Sequence, residues 1–260
     1  MAAARYHRVL TTTIFDPADK AMHTHQNEYG QPIGAPMPEW TARPRPSRAA
    51  MTGRYCRVEP VDVERDARAL FDAYRSAPDG RDWTYIPVGP FSEFDAYREY
   101  LARAAQSADP FHHTIFDLAT AKPVGTAALM RIDPPNGVIE IGHIVYSPLL
   151  KRTPAATEAM FLFMKRVFDE LGYRRYEWKC DSFNAPSRAA ALRYGFQFEG
   201  IFRQAIVYKQ RSRDTAWFSM LDREWPAIRH GFEQWLRPEN FGADGRQLDR
   251  LSDCIARSRM

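Results

Sequence analysis

The stretch SPLLKRTPAATEAMFLF, residues 147–163, leads from a loop with two basic residues directly into an apolar helix. The preceding residues, VIEIGHIVY at 138–146, have the pattern of a β-strand. A strand, a short loop and a helix in this order leave free backbone N–H groups and about half a positive charge at the helix start. Lys151 and Arg152 add two full charges there. The sequence therefore predicts that this helix start binds an anion, with phosphate as the expected group.

The start of this helix also has a purely structural interpretation. Thr153 is a favoured N-cap, and Pro154 occupies the favoured first helical position. Basic residues in a loop can simply be solvated. Ala155 and Ala156, however, carry no bulk that would keep an anion off the backbone. The local pattern leaves both interpretations open.

Patterns on both sides of this unit predict an α+β protein with one βαβ unit at its centre. Residues 54–61 resemble a short strand, and residues 62–77 carry apolar side chains at helical spacing. A second helix near 92–107 leads into three strands, and Gly172 ends the central helix. A strand, a helix and two strands around a charged turn follow over residues 173–222.

Composition divides the chain into three parts. Residues 1–50 are rich in Pro and Gly without periodicity, which predicts an N-terminal extension. Residues 51–236 are expected to form the functional domain, and residues 237–260 a C-terminal tail that is partly helical. At 260 residues, 45% of them hydrophobic, the chain can bury one sizeable core. One domain with extensions is therefore expected.

Several classes of protein are disfavoured by composition. The cysteines Cys56, Cys180 and Cys254 form no CxxC and no even set, which argues against a disulfide framework and a structural zinc site. His23 and His25 have no nearby third ligand, so we expect no metal site. A reducing cytoplasm fits this cysteine usage best.

The chain is also expected to bind neither membrane nor nucleic acid. Its longest apolar run, AMFLFM, is far shorter than the roughly 20 residues that span a bilayer. The net charge is +4, but acidic and basic residues alternate in most segments. No basic stripe of the kind that binds nucleic acid stands out.

Two patterns are more specific than composition, KRTPAA at 151–156 and CDSFNAPSRAAALRYGFQFEG at 180–200. They resemble the Gcn5-related N-acetyltransferase (GNAT) superfamily, most closely its ribosomal-protein alanine/serine acetyltransferase-like (RimJ/RimL-like) branch. The first stands where that superfamily has R/Q-x-x-G-x-G/A before a helix, and the second resembles the branch's Asn-x-x-Ser signature. The resemblance implies the acyl-CoA N-acyltransferase fold, an α/β/α sandwich whose mixed, mostly antiparallel central sheet has a V-shaped split.

The same resemblance implies an acetyl-CoA-dependent transferase, with acetyl-CoA as co-substrate and no metal. In the superfamily the loop before the helix cradles the pyrophosphate of acetyl-CoA. The implied cofactor contacts are Ile144, Val145, Tyr146, Lys151, Arg152, Thr153, Ala155, Ala156, Thr157, Asn184 and Ser187. Two departures stand out, because Lys151 replaces the usual Arg or Gln and Pro154 replaces the first glycine, which removes one amide donor. We expect a stiffer loop with one phosphate contact fewer.

Acetyl transfer needs a base for the amine, a polarised thioester carbonyl and a proton for the leaving thiolate. The resemblance assigns the carbonyl to backbone N–H groups between Ile144 and Tyr146, the pantetheine arm to Asn184 and the proton to Ser187. Asn184 also has the simpler interpretation of an ordinary N-cap. Cys180 near this end of the cofactor is more typical of packing.

The strand before the loop offers two candidates for the base. The branch has a glutamate after EGxxxQA, and here Ile206 occupies that place. Elsewhere in the superfamily a carboxylate or histidine on the strand before the loop serves, and this strand offers Glu140 and His143. Strand alternation puts these two side chains on opposite faces unless a bulge intervenes. Glu140 fits the superfamily's position better, whereas His143 has the better intrinsic pKa.

The acceptor is predicted to be a primary amine. Trp83 and Tyr85 lie in the loop that covers the acceptor groove in the superfamily, so we expect them to wall the substrate, with loop packing as the alternative. The missing base and this aromatic loop favour a small amine or amino acid over a protein N-terminus. Few acidic residues beyond Asp79 and Asp82 occur in the loop, which disfavours a highly cationic acceptor. A non-catalytic acyl-CoA sensor is the alternative function, and the sequence does not indicate the oligomeric state.

Overall fold

The computed structural model of the protein describes residues 25–259, so His23 lies outside the described residues. Residues up to Thr41 form one compact unit, and residues from Ala42 onward form another. The first contains two short antiparallel strands, β1 (His25–Gln26) and β2 (Pro32–Ile33). The second holds all the remaining elements.

Eight strands form the central sheet of the second unit. They are β3 (Met51–Thr52), β4 (Cys56–Pro60), β5 (Phe111–Asp117), β6 (Lys122–Asp133), β7 (Val138–Tyr146), β8 (Arg175–Asp181), β9 (Gln197–Tyr208) and β10 (Arg211–Leu221). Their spatial order is β3-β4-β5-β6-β7-β8-β10-β9, and only β7 and β8 are parallel. The prediction of a mixed, mostly antiparallel sheet is confirmed.

The parallel pair separates partway along its length. Val138–Ile141 pair with Arg175–Trp178, and the ladder between β7 and β8 ends there. The remaining residues of both strands, through Tyr146 and Asp181, extend beyond the ladder. This is the predicted V-shaped split, and it opens unpaired backbone at the middle of the sheet.

Six α-helices accompany the sheet in the described part of the chain. They are α1 (Val63–Arg75), α2 (Phe94–Gln106), α3 (Pro154–Lys165), α4 (Ala185–Arg193), α5 (Trp225–Trp235) and α6 (Leu251–Ser258). A π-helical turn, Arg166–Glu170, continues α3, and 3-10 turns occur at Arg81–Trp83 and Pro238–Asn240. The helix predicted from Pro154 to Leu171 is therefore present, although its last turn is wider than an α-helix.

Two hydrophobic clusters hold these helices. All residues of α3 from Ala155 to Met164 are buried, because the helix lies in the large cluster that also contains α5 and α6. A smaller cluster joins α1 and α2 to Val145 of β7. The strand at the split is thus packed by the aromatic side chains of α1 and α2.

Local signals place the helix ends. The Thr153 side chain accepts a hydrogen bond from the Ala156 amide at 3.2 Å, and Asn184 caps α4 in the same way. Gly172 has a φ of +67°, the left-handed conformation that glycine adopts at little cost after a helix.

Nowhere in residues 25–259 is a helix both long and apolar enough to cross a membrane. No cluster of three or more potential metal ligands occurs in the same range.

Candidate active site

The loop between β7 and α3 is built as an anion site would be. Arg152 has a φ of +63°, an unusual conformation for a residue with a side chain. The Thr153 hydroxyl donates to the Leu150 carbonyl at 2.7 Å, which holds the loop against the helix start. Within the described residues, the amides of Arg152 and Ala155 donate to no protein acceptor. Two free N–H groups, the positive end of α3 and two cationic side chains therefore meet in one loop.

The predicted phosphate contacts are not all equally available. The amide of Thr153 already donates to the Leu150 carbonyl at 3.3 Å, and the Ala156 amide donates to its own N-cap hydroxyl. Lys151 forms an ion pair with Asp82 from the loop after α1. Arg193 of α4 donates to the Thr157 hydroxyl at 3.0 Å, so a further cation lies near the start of α3.

A cavity of about 320 Å³ adjoins this loop. Thr153, Pro154 and Ala155 form one side, and residues of the turns after β3 and β5 form the other. The cavity therefore reaches the N-cap and first turn of α3, although the side chains from Ala155 to Met164 are buried.

A β-bulge interrupts β7 where it leaves β8. Thr126 pairs with Val145 and Ala128 with Gly142, so β7 has one residue more than β6 across the same interval. His143, inside this interval, has a φ of +48°. The bulge intervenes in the strand alternation, and it brings the His143 ring to 5.0 Å from the ring of His112, between ring centroids.

Glu140 lies in a buried network of charges. Its side chain is 3% exposed, and Oε2 lies 2.6 Å from Nη1 of Arg131 and 2.9 Å from Nζ of Lys179. Lys179 also contacts Glu177 at 2.6 Å and lies over the Trp217 ring. Two cations thus engage one oxygen of Glu140, and this carboxylate has a clear structural role.

His143 has a different environment from Glu140. Burial, and secondarily the charge of Arg131, lower the pKa of His143 below its usual value. Its Nδ1 is buried and has no hydrogen-bond partner among the described residues. A neutral imidazole can accept a proton, so His143 stays a candidate for the general base.

The end of β8 brings together Ser187 and Cys180. The Asn184 side chain accepts from the Ser187 amide at 3.1 Å, and the Ser187 hydroxyl oxygen accepts from Nε1 of Trp178 at 3.0 Å. Burial raises the pKa of the Cys180 thiol, while a hydrogen bond from Ser187 opposes that rise. Because the indole occupies a lone pair of Ser187, the hydroxyl hydrogen stays available for donation.

The aromatic loop after α1 is anchored to the other side of the split. Trp83 is buried and packs edge-to-face on Tyr74, at 5.4 Å between centroids. Nζ of Lys209 donates to the Trp83 carbonyl at 2.7 Å, at the β9–β10 turn. The Tyr85 hydroxyl donates to the Phe183 carbonyl at 3.2 Å, just beyond β8. Trp83 thus packs in the domain, whereas Tyr85 spans the end of the cleft.

Sequence reasoning missed several residues of this site. His112, Arg131 and Lys179 reach the split from β5, β6 and β8. A basic residue between two apolar ones in a largely buried strand, Lys179 in RYEWKCD at 175–181, was the signal that could have identified it. The neighbours of Glu140 could not be found without the strand register.

Comparison with known proteins finds a family match over the part of the chain that contains this site. Residues 57–197 match the family described as Acetyltransferase (GNAT) domain. The chain is similar to the crystal structure of a GCN5-related N-acetyltransferase from Brucella melitensis, with 49% sequence identity and a TM-score of 0.83 over 85% of this chain and 100% of that one. A probable GNAT-family acetyltransferase from Chromobacterium violaceum shares 42% identity, with a TM-score of 0.70 over 75% of this chain and 98% of that one.

A curated relative has a more specific name. YdaF of Bacillus subtilis, named as a candidate ribosomal N-acetyltransferase, is 28% identical over 170 residues. The match spans 65% of this chain and 90% of that protein. It is consistent with the resemblance to the ribosomal-protein branch.

Proposed function

This chain belongs to the GNAT acetyltransferase family, and on that premise we propose that it transfers acetyl from acetyl-CoA to a primary amine of a small molecule. The observation that carries the proposal is the opening between β7 and β8, which lies beside the anion-binding start of α3. A thioester in the opening and phosphates at the helix start would use the two features together. The backbone between Ile144 and Tyr146 would then polarise the thioester carbonyl.

The loop is proposed to hold the pyrophosphate. Free amides of Arg152 and Ala155 and the charges of Lys151 and Arg152 support this role. Asp82 is already paired with Lys151, so binding of phosphate requires that the lysine share or exchange its partner. Asn184 and Ser187 remain the proposed contacts of the pantetheine arm.

His143 is the proposed base of the reaction, with Glu140 as the competing candidate. The amine nitrogen attacks the thioester carbon, its proton passes to the base, and the C–S bond breaks to release the thiolate. Nδ1 of His143 is free to take that proton, whereas Oε2 of Glu140 is held by two cations. Glu140 would then orient Arg131 and Lys179 at the split. Ser187 is proposed to donate the proton that the thiolate needs and to regain one from solvent.

Three features support a small acceptor. Ile206 replaces the base of the ribosomal-protein branch, and the loop with Trp83 and Tyr85 is tied across the cleft by Lys209 and Phe183. The loop's carboxylates are also neutralised, because Asp79 pairs with Arg81 and Asp82 with Lys151. Asp79 and Asp82 therefore offer no free carboxylate to a strongly cationic acceptor. The similarity to YdaF favours the other acceptor class, a protein N-terminus.

Calorimetry with coenzyme A tests the phosphate site. Reversing the charge in Arg152→Glu is expected to weaken binding about 10- to 100-fold, since it removes one cation and adds an anion. Ala156→Glu, which adds bulk and charge at the helix start, should abolish binding. Ala96→Glu on the exposed face of α2 is the control and should bind as the parent does. Unchanged affinity in both loop variants would place the phosphates elsewhere.

An acceptor screen tests the reaction. Purified protein and acetyl-CoA are incubated with a small-amine library and with N-terminal peptides of ribosomal proteins, and thiol release is followed. Turnover of small amines is expected, and exclusive acetylation of peptide α-amines would contradict the proposed acceptor. Residue 206 is Ile where the ribosomal-protein branch has a glutamate base. A non-catalytic acyl-CoA sensor would also lack that base. Coenzyme A binding without thiol release for every amine would favour that second function.

A further inference from the structure

A second cavity lies between α1, α2 and the loop that joins them. Its volume is about 240 Å³. The residues proposed for acetyl-CoA do not line it. Five aromatic rings form its wall, those of Phe71, Tyr74, Trp83, Phe91 and Tyr97.

These rings are arranged to receive another ring. Trp83 meets Phe91 edge-to-face at 5.4 Å and 86°, and Phe91 meets Tyr97 at 5.4 Å and 73°. Aromatic pairs prefer this geometry, and the parts of these rings that line the cavity offer a planar ligand contacts of the same kind. An apolar cavity of about 150 Å³ in another protein binds benzene, so 240 Å³ accommodates a substituted ring.

One unpaired cation lines the cavity. The Arg75 guanidinium contacts the Ser92 carbonyl at 3.4 Å and lies over the Phe71 ring, but within residues 25–259 it has no carboxylate partner. Asp79, the other charged residue of the lining, is occupied by Arg81 through a contact of 2.6 Å. The cavity therefore combines aromatic walls with one cation, Arg75, that is not paired with a carboxylate in residues 25–259.

We propose that this cavity binds a small aromatic carboxylate. The ring lies among the five aromatic side chains, and the carboxylate pairs with Arg75, whose planar guanidinium suits bidentate contact with a carboxylate. The site communicates with β7, because the Tyr74 hydroxyl donates to the Val145 carbonyl at 3.2 Å. Binding itself does not depend on the proposed acetyl transfer, so the two proposals can fail separately.

Calorimetry on the full chain with phenylacetate, in the absence of acetyl-CoA, tests the site. Phenylacetate is expected to bind, and Arg75→Gln to weaken its affinity at least about 10-fold, as expected for the loss of a charge-assisted hydrogen bond. Benzyl alcohol, which has no charge, should bind the parent and Arg75→Gln equally. Ala77→Phe, which fills the cavity, should abolish binding of both ligands. Arg103→Gln, another exposed arginine that does not line the cavity, is the matched control.

A further measurement shows whether the ligand is the acceptor of the reaction or a separate effector. Acetylation of phenylalanine with a KM raised by Arg75→Gln would identify the acceptor as the source. Phenylacetate binding without phenylalanine turnover would identify a separate effector, and both results support the site. Absence of phenylacetate binding, or binding unaffected by Arg75→Gln and Ala77→Phe, would overturn the proposal. Circular dichroism and thermal melting confirm that the variants are folded.

Discussion

At the scale of single residues, Glu140 and His143 are the two candidates for the general base, and their surroundings differ. Glu140 is bound by Arg131 and Lys179, whereas His143 keeps an unpartnered buried nitrogen. The difference arises because the bulge gives His143 a φ of +48° and turns its ring toward His112. A base has to hold its lone pair free, and this difference supports our proposal of His143 for that role.

His143→Asn is expected to lower kcat by about 10²- to 10⁴-fold, the usual effect of losing a general base. The pKa of His143 is lowered by burial and Arg131, so the parent's kcat/KM should fall only as pH drops below about 6.5, where the neutral base is lost. Steady-state kinetics from pH 5 to 9 measures this fall of kcat/KM at low pH. The fall should disappear in His143→Asn. Affinity for coenzyme A should be unchanged.

Glu140→Gln is the companion variant, because it keeps the shape and removes the charge. We expect lower stability, because Arg131 loses its carboxylate partner and Lys179 keeps only Glu177, while the fall of kcat/KM at low pH should be retained. Near-normal turnover of His143→Asn together with a large loss in Glu140→Gln would assign the base to Glu140.

At the scale of elements, α3 is joined to the start of the sheet by one carboxylate. Glu158 is 4% exposed and accepts the backbone amides of Arg54, Tyr55 and Cys56 at 2.6 to 2.8 Å. Gly53 makes this approach possible, since a Cβ there would lie 2.3 Å from the Glu158 carboxyl carbon. The helix whose start is proposed to bind the anion is thereby fixed to the β3–β4 turn.

Glu158→Ala is expected to lower the free energy of unfolding by about 3 kcal/mol, because it leaves buried amides without an acceptor. Denaturant unfolding followed by circular dichroism measures the loss. Glu99→Ala, at an exposed site on α2, is the control and should change stability by less than about 0.5 kcal/mol. Equal effects of the two variants would show that the amides do not depend on Glu158.

Gly53→Ala tests the same junction from the other side. The added methyl group must displace the Glu158 carboxylate, and we expect a loss of about 1 to 3 kcal/mol in unfolding free energy. In the double variant with Glu158→Ala the clash is gone, so the two losses should be less than additive. Full additivity would contradict the proposed contact.

At the scale of the whole molecule, buried histidines make stability depend on pH. His112 and His113 are adjacent in β5, and burial lowers their pKa values to about 4 and about 3. His143 shifts in the same direction. In the unfolded chain these groups bind protons near pH 6.5, so the stabilisation is complete above that value and is lost as pH falls toward the folded pKa values.

Between pH 7.5 and pH 5 we expect His112 and His113 each to remove about 2 kcal/mol from the free energy of unfolding. Urea unfolding at several pH values measures the slope. His112→Asn should flatten it, whereas His230→Gln, at an exposed position on α5, should leave it unchanged. A parent stability that is constant over this range would contradict the burial of neutral imidazoles.

The sequence by itself determined the parts of this protein that depend on neighbouring residues. The strand, loop and helix around residues 138–171, the Thr153 and Asn184 caps and the Gly172 stop all follow from local pattern, since each uses contacts within about one turn. The mixed sheet and its split came from resemblance in two motifs, and the structure confirms both.

Only the tertiary structure decided how distant residues meet. Arg131 and Lys179 reach Glu140 through strand pairing, and Glu158 accepts amides more than 100 positions earlier in the chain. The bulge at His143 depends on the register between β6 and β7. Trp83, expected at a substrate wall, is buried among aromatic side chains of α1 and α2. These contacts arise when separate elements pack, and periodicity within any one element carries no information about them.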